Sequence, residues 1–235
     1  AENGHAIGYF WGYKTAGLFQ NQKEINDWIA AGNGIYQADV KPGDVKYVDV
    51  NHDGVINASD KVDLGNGLPK YTFGFNFSLA WKGFDLSANF TGAAGFQIAQ
   101  SYRDPSSSQA NYSRRILKRW TGEGTSNEIP RVTYGDVGNW LFSDLYLQDG
   151  DYIRLQNLTM GYDFKKLISW KGLSKMRLYF QVQNLFTLTK YDGMDPEIGS
   201  FNGTDGNSSD SWVSGVDMGY YPHPRTFIVG LNLAF

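Results

Sequence analysis

One twelve-residue run concentrates the residues that could bind an ion. From Asp49 to Asp60 the chain reads Asp-Val-Asn-His-Asp-Gly-Val-Ile-Asn-Ala-Ser-Asp. Oxygen-bearing side chains fall at the first, third and fifth positions (Asp49, Asn51 and Asp53), with Gly54 at the sixth, which is the pattern of a calcium loop. In such a loop Val55 offers its backbone carbonyl, Asn57 holds a ninth position that often acts through water, and Asp60 supplies the closing carboxylate. Ile56 between them is the apolar anchor. This set of hard oxygen donors suits Ca2+, which would brace the loop. Asp60 reaches less far than the bidentate Glu usual at the end of the loop, so affinity would be modest. The same residues also suit an Asx-rich turn that holds no metal.

Other chemistry is sparse. Asn111 to Trp120 (NYSRRILKRW) places Tyr112, Ile116 and Trp120 at helical spacing, which predicts a short helix with Arg114, Arg115, Lys118 and Arg119 as a basic cluster. That cluster suits an acidic ligand or lipid phosphates, or simply solvent. His5, His52 and His223 stand alone, and His52 sits at a non-ligand position of the calcium pattern. No nucleophile elbow, phosphate loop or zinc-protease motif is present. The Asp195/Glu197 pair around Pro196 carries no catalytic signature. The chain is read as a non-enzyme.

The elements that must position these residues are strands. Tyr71, Phe73, Phe75, Phe77, Leu79 and Trp81 alternate with Thr72, Gly74, Asn76, Ser78 and Ala80. Strict alternation with large apolar groups on one face and small polar ones on the other predicts a strand. A second strand starts at Phe84 after a Lys82-Gly83 turn, with Phe84, Leu86, Ala88, Phe90 and Phe96 on one face. A third runs from Tyr152 to Phe164, where a change of phase predicts a β-bulge near Gln156-Asn157. A fourth runs from Met176 to Leu188, and a fifth from Thr226 to Phe235. Connections alternate between short (Lys82-Gly83, Lys165–Lys175) and long (after Phe96 and after Leu188). Short turns on one side and long loops on the other suit an outer-membrane barrel; a soluble β-sandwich with insertions is the alternative.

Composition agrees with strands and turns. Among 235 residues there are 28 Gly, 7 Trp, 15 Tyr and 15 Phe, and charged residues make up 19%. Cys is absent, which excludes disulfides and thiolate metal sites. A net charge of −3 argues against nucleic-acid binding. No apolar run is long enough for a spanning helix, but a spanning barrel strand needs only about 9–11 residues.

Taken in order, several segments resemble the SusC/RagA family of TonB-dependent outer-membrane transporters. They are Gly8–Tyr13 with Ala16–Phe19, Lys41–Tyr47 leading into Asp49–Gly54, Leu68–Gly74, Gly150–Tyr162, Gln183–Tyr191, Gly193–Glu197 and Tyr221-Pro222 with the strand to Phe235. The resemblance implies an all-β fold: a transmembrane antiparallel barrel of about 22 strands, of which this chain would carry the last five or so. Residues 1–70 would form an extracellular loop region holding the calcium-type loop 49–60, and residues 71–235 the carboxyl-terminal strands and their loops. The remainder of the barrel would come from a companion chain, as after nicking of a surface loop. TonB would be contacted through an amino-terminal part absent from this chain.

The implied function is import of oligosaccharides, or of peptides, across the outer membrane with a SusD-like surface lipoprotein. Gly230, Leu231, Leu233 and Phe235 resemble the terminal signal for barrel assembly. Arg103, Tyr134, Trp140 and Trp212 are candidate ligand contacts, since indole and phenol faces stack on sugars. The competing reading is a soluble, secreted, calcium-braced module that binds carbohydrate.

Overall fold

The computed structural model describes residues 3–101, 111–133, 138–168, 170–198 and 214–235. In chain order the elements are β1 (Tyr9–Tyr13), β2 (Thr15–Leu18), α1 (Gln22–Ala30), β3 (Val45–Tyr47), β4 (Lys61–Asn66), β5 (Tyr71–Trp81), β6 (Phe84–Ala94), β7 (Gln97–Gln100), β8 (Leu147–Asp149), β9 (Tyr152–Asp163), β10 (Lys175–Thr189), β11 (Val216–Asp217) and β12 (Thr226–Ala234), with short 3-10 turns between. They divide into two compact units.

One unit comprises Pro69–Phe96, Asp149–Glu197 and Tyr220–Phe235. Its five strands form an antiparallel sheet in the order β12-β10-β9-β6-β5. These are the five strands that alternation predicts. β5 and β6 pair without a slip from Tyr71↔Ala94 to Trp81↔Phe84. Lys82 (φ 48) and Gly83 (φ 97) both adopt the left-handed backbone that a tight two-residue hairpin needs. The predicted bulge is at Gln156: Asn89 pairs Asn157 but Phe90 pairs Leu155, and β10 is irregular at the same place. The extra residue returns Leu155, Leu158, Met160 and Tyr162 to one face.

That face is bare. Phe75 is 59% exposed, Phe227 61% and Val229 72%. The opposite face is largely polar, and at two glycines there a side chain would meet the ends of neighbouring ones. A Cβ on Gly230 would lie 2.2 Å from the Tyr179 ring, and one on Gly161 would strike both Arg177 and Asp85 at 2.6–2.7 Å. Phe96 departs from its expected place on the apolar row. Gly95 (φ 79) turns the chain after β6, and Phe96 is buried against Gly150 and Tyr152.

The other unit comprises Ala1–Leu68, Gln97–Gln148 and Ile198–Gly219. Segments read from the sequence as long connections are folded here. β1 pairs with β4, β2 with β3, and β11, β7 and β8 form a third small sheet. Tyr13, Leu18, Val45, Tyr47 and Ile56 make a core, with Trp120, Leu141 and Leu145 packed against it. Helix α1 is capped by Asn21, and Glu24 ties down the residue before the cap. The Asn21 side chain accepts from Glu24 N–H at 2.9 Å, and Glu24 accepts from Gln20 N–H at 2.6 Å. The helix predicted over 111–120 is a five-residue 3-10 turn, Arg114–Lys118, whose Ser113 cap makes no side-chain hydrogen bond. Without a cap or a continuing apolar stripe, one turn is as far as it extends. No helix among the described residues is long and apolar enough to cross a membrane.

Candidate functional site

The Asp49–Asp60 segment adopts the wound backbone that its sequence pattern calls for. His52 (φ 58) and Gly54 (φ 82) take left-handed conformations. Asp49 accepts from Asp53 N–H at 3.3 Å and from Gly54 N–H at 2.7 Å. Asn51 accepts from Asp53 N–H at 3.0 Å, and Asp53 accepts from Val55 N–H at 2.9 Å. Asp60 closes the loop, accepting from Val50 N–H at 2.9 Å and from Asn57 N–H at 2.7 Å. Ile56 is buried in the core and anchors the centre of the loop.

The electrostatics favour a cation. Asp49 is 3% exposed and Asp60 fully buried, yet neither they nor Asp53 meets a cationic side chain among the described residues. Buried carboxylates are ordinarily paired or bound to metal. The Asn51 amide, then the Val55 N–H, hold the Asp53 carboxyl below the usual range. The three carboxylates do not converge within 4.8 Å of one another, whereas Asp195, Glu197 and His223 do. Backbone N–H groups hold Asp49 and Asp60 in position, leaving each oxygen a further lone pair. The donor set, all oxygen and net negative, fits a calcium ion.

A cleft of about 440 Å³ lies in the same unit, lined by Tyr112, Arg115, Ile116, Trp140, Phe142 and Tyr146 among others. Its floor is rigid. Asp44 is 1% exposed and takes a fork from Arg131, with Nε at 2.6 Å and Nη2 at 3.0 Å. Asn139 donates to Asp44 at 2.8 Å and accepts from Val45 N–H at 2.9 Å. Trp140 therefore sits on a 3-10 turn (Gly138–Trp140) pinned through its neighbour. Tyr146 donates to the Asn139 carbonyl at 2.8 Å, and burial, only partly offset by Arg115, pushes its hydroxyl up to about 12. Aromatic faces with one guanidinium can stack on a sugar ring or a planar peptide group. Of the sequence-predicted ligand contacts Trp140 lies here, while Arg103, Tyr134 and Trp212 fall outside the described residues.

Sequence reasoning passed over a buried network in the sheet unit. Arg154, 3% exposed, donates Nη1 to Glu197 at 2.8 Å, Nη2 to Asp195 and Nε to Thr187 Oγ1 at 2.9 Å. Asp195 also accepts from Glu197 N–H at 2.9 Å and from His223 N–H at 3.1 Å. Burial pushes its carboxyl up, but these donors, the His223 ring and Arg154 outweigh burial and hold it below the usual range. With a guanidinium at its centre, the Asp195–Glu197–His223 group is a latch between connections rather than a metal site. The predicted assembly residues Gly230, Leu231 and Leu233 lie on β12. Gly230 has the local reason given above, and Leu231, Leu233 and Phe235 stand exposed.

Comparison with known proteins adds the following. No protein-family model matches the chain. TonB-dependent receptor P3 of Formosa agariphila is 34% identical over 234 residues, covering 99% of this chain and 22% of that protein. TonB-dependent receptor SusC of Bacteroides thetaiotaomicron is 29% identical over 205 residues, covering 86% of this chain and 18% of that protein. Among solved structures, the RagAB peptide transporter shares the fold, with a TM-score of 0.64 at 21% identity over 97% of this chain and 23% of that one. The chain thus spans about a fifth of the length of the curated relatives it matches.

Proposed function

Because the chain belongs to the SusC/RagA family of TonB-dependent receptors, we propose that its five-stranded sheet is part of a closed outer-membrane barrel that imports oligosaccharides or peptides. The observation that carries this reading is the sheet itself. Its apolar face is largely exposed, and among the described residues β5 and β12 each pair on one side only. An apolar row of this size needs lipid or protein against it. Open strand edges cannot lie in hydrocarbon, because their N–H and C=O groups would go unpaired. Further strands on both sides remove the edges and leave the apolar row to the bilayer. The remaining strands of an approximately 22-stranded barrel would belong to the rest of the receptor. The long connections would face outward towards a SusD-like lipoprotein, and TonB would act on another part of the receptor.

In this reading the Trp140 cleft is a candidate substrate contact. The loop 49–60 takes Ca2+ through Asp49, Asn51, Asp53, the Val55 carbonyl, Asn57 and Asp60. Calcium there would supply positive charge to buried carboxylates and stiffen the loop. No reaction is assigned.

The reading is tested on the full-length receptor. It should partition into the membrane fraction and need detergent for extraction, and its deletion should abolish growth on one class of oligosaccharide or peptide. A receptor that purifies from the soluble fraction without detergent, while still binding sugar, overturns the barrel and favours a soluble calcium-braced module. Growth unaffected on every oligosaccharide and peptide offered would overturn import.

A further inference from the structure

The end of the sheet that carries the short turns gathers lysines beside bare aromatic rings. Lys82 lies in the β5–β6 turn, with Nζ 4.8 Å from the centroid of the Trp81 ring. The Gly83 carbonyl accepts from Asp163 N–H at 2.8 Å, which draws this turn against the start of the β9–β10 connection. Within that connection Lys165 Nζ donates to the Trp170 carbonyl at 2.7 Å, and Lys171 follows. None of the three lysines forms an ion pair with a described residue. The nearby acids are engaged elsewhere. Asp163 caps the connection, accepting from Lys165 N–H at 3.0 Å and Met176 N–H at 3.3 Å. Asp85, on the polar face, is paired with Arg177.

Adjoining these lysines, the bare face is grooved. A trough of about 470 Å³ runs between Leu79, Trp81, Phe84, Met160, Tyr162 and Leu178. Its floor near the turns is a run of rings, with Phe84 4.4 Å from Tyr162 and Tyr162 4.9 Å from Phe164 between centroids. Trp81 stands exposed in the trough's lining, and Trp170, on the β9–β10 connection, is exposed with its ring 6.0 Å from Phe235; indoles favour the boundary between headgroups and hydrocarbon.

An apolar trough beside cations that form no ion pair with a described residue fits an amphiphile with an anionic head. We infer that this end of the sheet holds one anionic glycerophospholipid, with its phosphate among Lys82, Lys165 and Lys171 and an acyl chain in the trough. The inference rests on the reading of the sheet as membrane-spanning. A zwitterionic headgroup brings its own cation to the lysines and gains little. An anionic one gains about fivefold in occupancy per lysine, from about 1 kcal/mol for each cation at an anionic surface.

The test uses the full-length receptor in nanodiscs of phosphatidylethanolamine doped with phosphatidylglycerol, followed by native mass spectrometry of the lipid retained on release. Phosphatidylglycerol should be retained over phosphatidylethanolamine well above about fivefold relative to the bilayer ratio, since three lysines contribute. Lys82→Asn combined with Lys171→Gln should lower this enrichment more than about tenfold, to about the fivefold that Lys165 alone supplies, whereas Lys82→Arg should keep it. Asn tolerates the left-handed backbone at position 82, so the double variant should still insert. Retention at the bilayer share by the unaltered receptor, or undiminished retention by the inserted double variant, overturns the lipid site and leaves the barrel standing. Failure of the unaltered receptor to enter nanodiscs overturns both.

Discussion

Replacing Arg154 by Met keeps the length of the side chain and removes its charge, and the structure sets what this should cost. Three bonds are lost, and they differ in weight. The Glu197 side chain is 50% exposed, so its pairing is worth under about 1 kcal/mol. The Thr187 bond is a neutral acceptor that water can replace. Asp195 dominates, because its side chain is 8% exposed against 3% for Arg154. Stripping the partner from a buried charge costs about 3–5 kcal/mol. The cost falls on the latch rather than on the whole molecule, since Asp195 and His223 sit in connections that can open without unpairing β9 and β10. Glu197 N–H and His223 N–H both donate to Asp195, so their hydrogen exchange reports latch opening. In the full-length receptor, Arg154→Met should speed exchange at these amides by about two to four orders of magnitude. Adding Asp195→Asn should recover much of the loss, because the stranded charge is gone. Acid should mimic the variant. The folded Asp195 carboxyl lies below its ordinary 3.8, so its stabilisation is complete above that pH and lost as pH falls below it through the lowered folded value. Less than tenfold faster exchange in Arg154→Met, or no recovery in the double variant, would refute the buried-charge argument.

Gly230→Ala should impair assembly by about 1–3 kcal/mol, because its methyl would overlap the Tyr179 ring; Tyr179→Ala should rescue it, as read by heat-modifiable migration on gels. Calcium at a hundred times its Kd should raise the stability of the loop unit by about 2.7 kcal/mol. Asp49→Asn with Asp60→Asn should abolish that increment, and limited proteolysis with and without chelator would show either result. Trp140→Ala should weaken substrate binding about fivefold, from the loss of about 1 kcal/mol of ring stacking. Titration calorimetry would check this, and unchanged affinity would remove the cleft from the import path.

What was legible in the sequence follows the range of the interactions. β5 could be read residue by residue, because alternation over its eleven positions is a local pattern and its turn needs only Lys82 and Gly83. The bulge at Gln156 was equally local, as a break in phase. The wound loop at 49–60 was readable because its donors lie within twelve residues. The loop unit was not readable in this way. β3 is three residues long and buried at each of them, so it has no alternation to detect. α1 did carry an Asn21-x-x-Glu24 cap signal, but it buries only Ile25. Arg154 reaches partners 41 and 43 residues away, and no spacing rule links them.

The same reasoning applies to the bare row. Val229 and Ile98 are both apolar residues of strands, but Val229 is 72% exposed and Ile98 fully buried. That difference is set by neighbours the local pattern does not contain. For Ile98 they belong to the folded loop unit. For Val229, on the proposed barrel reading, they would be lipid. Hence the barrel reading depends more on what the sheet leaves uncovered than on any single motif.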